Sequence, residues 1–292
     1  MCVMSWLLLA LASAFFLGCY DLAKKTSVQG NAVRPVLFLC SAFYAVLMLP
    51  VLVSGHCESL PLQSHLYLIG KAAIVGGSWI LTYNALAHLP LSIATTIRAL
   101  APVFTIFIAV TFMGERPFAL QWAGVAVCIC SYVVLSMAGR KEMGSFFSNG
   151  WVICMVLGTI LASCSGVYDK FILQRMNFEP LTVQVWFAIY MTLWQFIVCA
   201  VTWFPKRRQS TPFKFRWSFV LVAVLLLVAD RCYFLAVSDK DALISLVTVF
   251  RRSSVLISFI AGLLFFKERK SPLKWVALFG IITGLCMIAL GK

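Results

Sequence analysis

The chain alternates between long apolar runs and short polar connections. Ten apolar runs occur, each close to the roughly 20 residues that one helical crossing of a bilayer requires. The connections between them are too short for a folded extramembrane domain, so the pattern predicts an all-α integral membrane protein. The ten predicted transmembrane helices are residues 3–20, 36–53, 66–86, 91–113, 120–137, 151–172, 181–204, 217–237, 242–266 and 273–290.

The composition supports a membrane protein and argues against a soluble domain. Hydrophobic residues make up 62% of the chain and charged residues only 12%, with a mean hydropathy of +0.96. Soluble domains carry about 25% charged residues. The net charge of +14 would indicate nucleic acid in a soluble protein. Here most basic residues lie in short connections, where they orient helices, so we predict no nucleic-acid partner.

The basic residues are distributed unequally between the two sides of the membrane. The five odd-numbered connections, together with Lys274 at the start of helix 10, carry fourteen Lys and Arg. The other side carries five, counting both termini and Lys170 near the end of helix 6. The positive-inside rule then places both termini outside. The sequence contains no Asn-x-Ser/Thr glycosylation acceptor, so no such site indicates the secretory pathway. We predict a multi-pass protein of a bacterial cytoplasmic (inner) membrane.

Several features of the first five runs return in the second five. The motif Gly-x-Tyr-Asp occupies residues 18–21 and again 166–169. Arg98 and Arg251 each lie inside an apolar run, seventeen residues before Glu115 and Glu268 respectively. A chance repeat would not preserve both the spacing and the intramembrane arginine.

The repeat divides the chain into residues 1–142, with helices 1–5, and residues 143–292, with helices 6–10. The two halves together form one transmembrane domain. Because five is an odd number, the second half must cross the membrane in the opposite direction. A 5+5 inverted repeat is typical of transporters, whose site lies near the midplane between the halves.

Residues 85–115 (ALAHLPLSIATTIRALAPVFTIFIAVTFMGE) and their weaker echo at 236–268 resemble the EamA-type branch of the drug/metabolite transporter superfamily. The resemblance covers both halves of the chain. It implies ten helices and a secondary carrier that exports or exchanges metabolites such as amino acids. It also implies a central cavity lined by helices other than the fifth and tenth.

Ionisable residues inside membrane helices are candidates for function. An arginine at the centre of a membrane helix costs about 2.5–3.5 kcal/mol, so several together indicate a wet, cationic cavity that binds an anion. The alternative is that Asp230 neutralises one arginine while the others reach interfacial water or carbonyls. Lys71 lies near its helix start, where it is expected to snorkel. We assign substrate binding to Arg98, Arg251, Arg252 and Asp230, and regard Arg231 as a weaker candidate.

Asp230 and Arg251 lie on adjoining helices near the same membrane side, so they are expected to pair. The pair is either a switch that substrate opens or a permanent tie between helices 8 and 9. Asp21 and Asp169 are predicted to end helices 1 and 6 and to form alternating gates with Arg98 and Arg251. The alternative is that both carboxylates are solvated at the interface.

Aromatic residues at helical spacing give a weaker signal. Trp79 and Tyr83 precede the Arg98 helix, and Trp186 and Tyr190 form a stripe on helix 7. We predict that all four line the cavity, although such stripes also serve helix packing. Gly280-x-x-x-Gly284 predicts close helix–helix packing or the face of a possible homodimer.

No catalytic, metal-binding or cofactor-binding motif is recognisable: P-loop, HExxH and Gly-x-Ser-x-Gly are all missing. We therefore predict no enzyme, metal or cofactor, and transport driven by a gradient or by exchange. The predicted function is a secondary transporter moving a small anionic or zwitterionic metabolite (amino acid, organic acid or phosphoester-like) by alternating access. The alternative is a membrane-embedded enzyme or flippase acting on lipid-linked phosphate intermediates.

Overall fold

A computed structural model describes residues 4–28, 30–88, 97, 98, 100–137, 150–207, 211–254, 257 and 272–291. Within these ranges the chain forms ten α-helices and no strand, which confirms the predicted all-α fold. The helices are α1 Met4–Val28, α2 Val33–Val53, α3 Leu62–His88, α4 Ala101–Met113, α5 Ala119–Met137, α6 Gly150–Lys170, α7 Pro180–Thr202, α8 Ser218–Ser238, α9 Ile244–Arg252 and α10 Pro272–Leu290.

The helices have the length and surface of membrane spans. Within the described ranges, five stretches are long and apolar enough to cross a bilayer: Trp6–Lys24, Val33–Val53, Gly150–Arg175, Pro180–Lys206 and Ser218–Ser238. Large apolar side chains cover the outside; Phe107 is 68% exposed and Phe279 is 74% exposed. Apolar surface of this extent is stable against lipid and costly against water. The protein is a multi-pass membrane protein.

Two helices continue beyond their predicted ends. Helix α1 runs on to Val28, so Asp21 lies seven residues before its end and not at the end. Helix α6 is extended by a π-helical turn, Phe171–Arg175, which likewise leaves Asp169 inside a helical segment. The hydropathy pattern stops at the first charged residues, but a helix can continue where its polar side faces a cavity instead of lipid.

The packing between helices repeats across the two halves. Helix α1 packs on α8 as α6 packs on α3, and α1 packs on α9 as α6 packs on α4. The counterparts α2 and α7 pack on each other, and so do α5 and α10. Exchanging every helix for its counterpart leaves these contacts unchanged, as a two-fold relation requires. The inverted two-repeat architecture is confirmed.

Helices α5 and α10 approach closely through glycines. A Cβ atom on Gly284 would lie 2.7 Å from the Gly124 carbonyl oxygen and 2.5 Å from the Cys128 sulfur. A Cβ on Gly280 would collide with the Ser131 hydroxyl. Of the two interpretations of Gly280-x-x-x-Gly284, the helix–helix contact is therefore the one observed. The possible homodimer stays a prediction.

Gly284→Ala should lower the stability of the protein by roughly 1–3 kcal/mol, because the new methyl group meets backbone that cannot move aside. Thermal unfolding of the detergent-purified protein measures the change. Gly150→Ala is the matched control, because no atom lies within 4 Å of a Cβ at that position. Equal midpoints for the two variants would contradict the close α5–α10 contact.

Candidate functional site

A cavity of about 380 Å³ lies between the two repeats. Its described lining comes from helices α1–α3 and α6–α9, from α4 and from Arg98 just before α4. Helices α5 and α10 contribute none of these residues. The resemblance to EamA-type carriers implied this division, and the structure confirms it for the described residues. The physical reason is that α5 and α10 pack against each other, away from the centre.

The two ends of the cavity differ in exposure. At the open end, Asp21 and Arg98 are exposed and Lys24 is half-buried. The Lys24 ammonium lies 5.1 Å from the centre of the Tyr20 ring and 5.2 Å from that of Trp79. The residues of the other, closed end are buried or nearly so: Lys71, Asp169, Asp230, Tyr233 and Arg251.

Arg98, at the open end, and Arg252 bring two positive charges to the cavity lining. The guanidinium of Arg252 lies within electrostatic range of Arg98 and of the Asp21 carboxylate. Among the described residues, no carboxylate oxygen lies within 4 Å of either guanidinium. These two charges are therefore not neutralised by an ion pair with the described part of the chain.

Arg251 is placed differently from its neighbour. Its Nη2 atom donates to Asp230 Oδ1 at 2.6 Å, and its guanidinium lies 4.0 Å from the centre of the Tyr233 ring. The Tyr44 hydroxyl donates to the second Asp230 oxygen at 3.4 Å. The predicted pairing of Asp230 with Arg251 is thus present, and it leaves Arg252 as the less compensated arginine of α9.

Lys71 is the site residue that sequence reasoning missed. Its side chain is 1% exposed, and its Nζ lies 2.7 Å from Asp169 Oδ1. The ammonium also faces the rings of Phe234 and Phe187 at 3.9 and 4.3 Å. The Tyr233 hydroxyl donates to the other Asp169 oxygen at 3.2 Å.

The interpretation of Lys71 as a snorkelling residue was wrong. Helix α3 begins at Leu62, so Lys71 lies nine residues inside it. At about 1.5 Å per residue this is about 14 Å along the helix, too deep for its ammonium to reach the interface. The polar start of α3, Gln63 to His65, concealed the true depth, because the hydropathy pattern counts only apolar residues.

Neither predicted gate pair is formed. Asp169 pairs with Lys71 and not with Arg251, because Asp230 already occupies Arg251. No described cation lies within 4 Å of the Asp21 carboxylate. The gating role of Asp21 and Asp169 stays a hypothesis, with Lys71 as the observed partner on one side.

The predicted aromatic residues separate into two groups. Trp79 lines the cavity. Trp186 and Tyr190 do not: the Tyr190 hydroxyl lies 2.9 Å from His65 Nδ1, and the Trp186 ring lies 4.4 Å from the His65 ring. The Tyr83 side chain lies outside the described part of the structure. Arg231 is also absent from the cavity lining.

Glu115 fixes one repeat to the other at the closed-end side. Its carboxylate accepts from the Ile244 and Ser245 backbone N–H groups at 2.7 and 3.1 Å, at the start of α9. The Lys170 ammonium lies 2.7 Å from the same carboxylate and donates to the Ala242 carbonyl at 3.1 Å. A carboxylate at a helix N-terminus satisfies free N–H groups and the helix dipole. The counterpart, Glu268, lies outside the described residues.

An inverted repeat around a charged central cavity defines a membrane transporter. The chain belongs to the EamA-like transporter family, whose model matches residues 4–137 and 149–290. A crystal structure of another protein superposes with a TM-score of 0.74 over 97% of this chain and 96% of that one. At 18% identity this likeness shows the fold alone.

Two relatives carry transporter names. The probable terminal-alkyne amino-acid exporter of Streptantibioticus cattleyicolor is 33% identical over 86 residues, and the match spans only 28% of each protein. The uncharacterized inner membrane transporter YedA of Escherichia coli is 23% identical over 230 residues, covering 77% of this chain and 70% of YedA. The family and these relatives point away from an enzyme.

Proposed function

We propose that the protein is a secondary transporter that moves a small anionic or zwitterionic metabolite across the bacterial inner membrane by alternating access. The substrate class includes amino acids, organic acids and phosphoester-like compounds. The observation that carries the proposal is the pair Arg98 and Arg252, which line a central cavity without a described carboxylate partner.

The energetics favour an anionic group at this pair. An arginine at membrane depth costs about 2.5–3.5 kcal/mol, and two close together also repel each other. A carboxylate or phosphate matches the guanidinium fork and offsets both costs. The sequence alone assigned substrate binding to Arg98, Arg251 and Arg252 alike. The proposal places the anionic group at Arg98 and Arg252, because Asp230 already neutralises Arg251.

The direction of opening follows from the loop charges. The closed end lies toward the end of α6 and the start of α9, where Lys170 meets Glu115. This is the side with few basic connections, which the positive-inside rule places outside. The exposed Asp21 and Arg98 lie toward the basic side. We infer a state open to the cytoplasm, ready to take up substrate there.

An enzyme or flippase acting on lipid-linked phosphates is less well supported. A hydrolase or transferase requires a free nucleophile or an acid–base pair. Asp169 and Asp230, the carboxylates at the closed end, are each held by a cation. The transporter names of the relatives also favour a carrier.

Arg98→Gln and Arg252→Gln should each weaken substrate binding by about 10- to 100-fold, because each removes a hydrogen bond between charged groups. The test is a thermal-shift screen of the purified protein against L-glutamate, succinate, glycerol 3-phosphate and UDP-glucose. Affinity for each compound that stabilises the protein is then measured by titration, and its exchange is measured in proteoliposomes.

Arg231→Gln is the matched control, because it removes an intramembrane arginine that does not line the cavity. It should leave affinity within about threefold of the wild type, a difference of less than 1 kcal/mol. Equal losses in Arg98→Gln and Arg231→Gln would indicate a general charge effect. Unchanged affinity in both Arg98→Gln and Arg252→Gln would refute the proposed site.

A further inference from the structure

The Lys71 ammonium has hydrogen-bonding capacity that the protein does not use. An ammonium carries three N–H donors, and Asp169 Oδ1, 2.7 Å from Nζ, can accept only one of them. No hydrogen bond from Nζ to any other oxygen of the described structure is present. The side chain lines the cavity and is only 1% exposed, so the remaining donors have no access to bulk water.

A second unused donor lies at the same end. The Nε atom of Arg251 is buried and has no hydrogen-bond partner, and Arg251 also lines the cavity. Tyr233 connects the two cations: the Arg251 guanidinium lies over its ring, and its hydroxyl donates to Asp169, the partner of Lys71. Two cations with spare donors therefore flank one aromatic residue at the closed end.

Unused donors at buried cations are unfavourable unless a ligand satisfies them. Burying a polar group without a partner costs free energy, and burying a charge costs more. Carboxylate and phosphate oxygens are the ligands that satisfy ammonium and guanidinium donors together. Helices α3 and α9, which hold these residues, belong to different repeats, so such a ligand would bind between the two halves.

We propose that Lys71 and Arg251 form an oxyanion-binding subsite at the closed end, in which Asp169 is the built-in competitor of the substrate. The inference rests on the proposed function, because it gives the same anionic group a second position on its path. The substrate oxyanion passes from Arg98 and Arg252 to Lys71 and displaces the Asp169 carboxylate. This exchange breaks the tie between α3 and α6 and so couples substrate arrival to opening of the closed end.

The competing explanation is that Lys71 and Asp169 are only a structural tie. The two explanations predict opposite effects of removing the carboxylate. A structural tie that loses its anion gives a weakened protein with unchanged or poorer binding. A competitor that is removed leaves Lys71 available, and the affinity for an anion rises.

Asp169→Asn is the decisive variant, because it removes the charge and keeps an oxygen that can accept from Tyr233. We expect succinate, L-glutamate or inorganic phosphate to bind about tenfold more tightly than to the wild type, measured by isothermal titration of the full-length protein in detergent. For a probe with no measurable wild-type affinity, binding should first become measurable in Asp169→Asn. Asp241→Asn, on the exposed α8–α9 connection, is the control and should change nothing.

The double variant Asp169→Asn/Lys71→Gln should lose the gain. An affinity that does not rise for any probe in Asp169→Asn, or a gain that survives the loss of Lys71, would overturn the proposal. Misfolding of Asp169→Asn would weaken binding, so a gain in affinity cannot be explained by misfolding. A failure of the proposed function would show separately, as unchanged binding in both Arg98→Gln and Arg252→Gln.

Asp169→Asn alone leaves a buried ammonium unpaired, so the double variant also serves if the single variant does not fold. The double variant contains no unpaired charge. A purely structural tie then predicts wild-type affinity and exchange. The subsite predicts exchange at least tenfold slower than in the wild type, even in monodisperse protein, and wild-type exchange would refute it.

Discussion

Glu115→Ala should lower the free energy of unfolding by about 3–5 kcal/mol, the cost of leaving a buried charge without its partner. The Glu115 and Lys170 side chains are only 2% and 9% exposed, so water cannot replace the lost carboxylate. The substitution also frees the Ile244 and Ser245 N–H groups at the start of α9. Unfolding in mixed detergent–SDS micelles, followed by circular dichroism, measures the change.

Two comparisons test the cause of this loss. Glu58→Ala removes an exposed glutamate from the α2–α3 connection and should stay within about 0.5 kcal/mol of the wild type. Glu115→Ala/Lys170→Met should recover part of the loss, because no buried ammonium is then left unpaired. A double variant as unstable as Glu115→Ala would show that the helix cap, and not the ion pair, dominates.

Asp230→Asn should be the second strongly disruptive change, with a loss of about 3–5 kcal/mol, because Arg251 loses the carboxylate 2.6 Å away. We expect Asp230→Asn/Arg251→Gln to recover stability and still fail to exchange substrate. The reason is that Arg251 lines the cavity and belongs to the proposed oxyanion subsite, in addition to tying α8 to α9. Micellar unfolding and proteoliposome exchange measure the two effects.

This double variant decides between the two interpretations of the Asp230–Arg251 pair. Recovery of both stability and exchange would make the pair a permanent tie. Recovery of stability alone would make it a part of the transport path. Continued instability of the double variant would contradict the pair as the origin of the loss.

The membrane explains why so much of the fold could be predicted from sequence. In hydrocarbon every backbone group must bond within its own segment, so an apolar run of sufficient length becomes a helix. The odd number of helices per repeat then fixes the inversion. The matched positions of Arg98 and Arg251 indicated the cavity for a related reason. Burying an arginine in the bilayer costs several kcal/mol, so arginines inside membrane helices are usually functional.

The partners of these charges could not be predicted from sequence. Lys71 and Asp169 lie 98 positions apart, on helices of different repeats that meet only in the folded protein. Arg251 and Arg252 are adjacent in sequence, but successive residues point about 100° apart on a helix. Arg251 therefore pairs with Asp230, whereas Arg252 has no described carboxylate within ion-pair distance. The spacing of Trp186 and Tyr190 also did not show which way their face of α7 points. Aromatic residues can face lipid, a neighbouring helix or a cavity.

The sequence by itself determined the helices, their inversion, the family and the depth of most buried charges, because hydropathy and repeat spacing are properties of the chain. Only the tertiary structure decided which charges are compensated, because that depends on the rotation of each helix and on contacts between the repeats. It therefore left Arg98 and Arg252 as the candidate arginines without a described carboxylate partner, and it placed Lys71 in the lining of the central cavity and not at the interface.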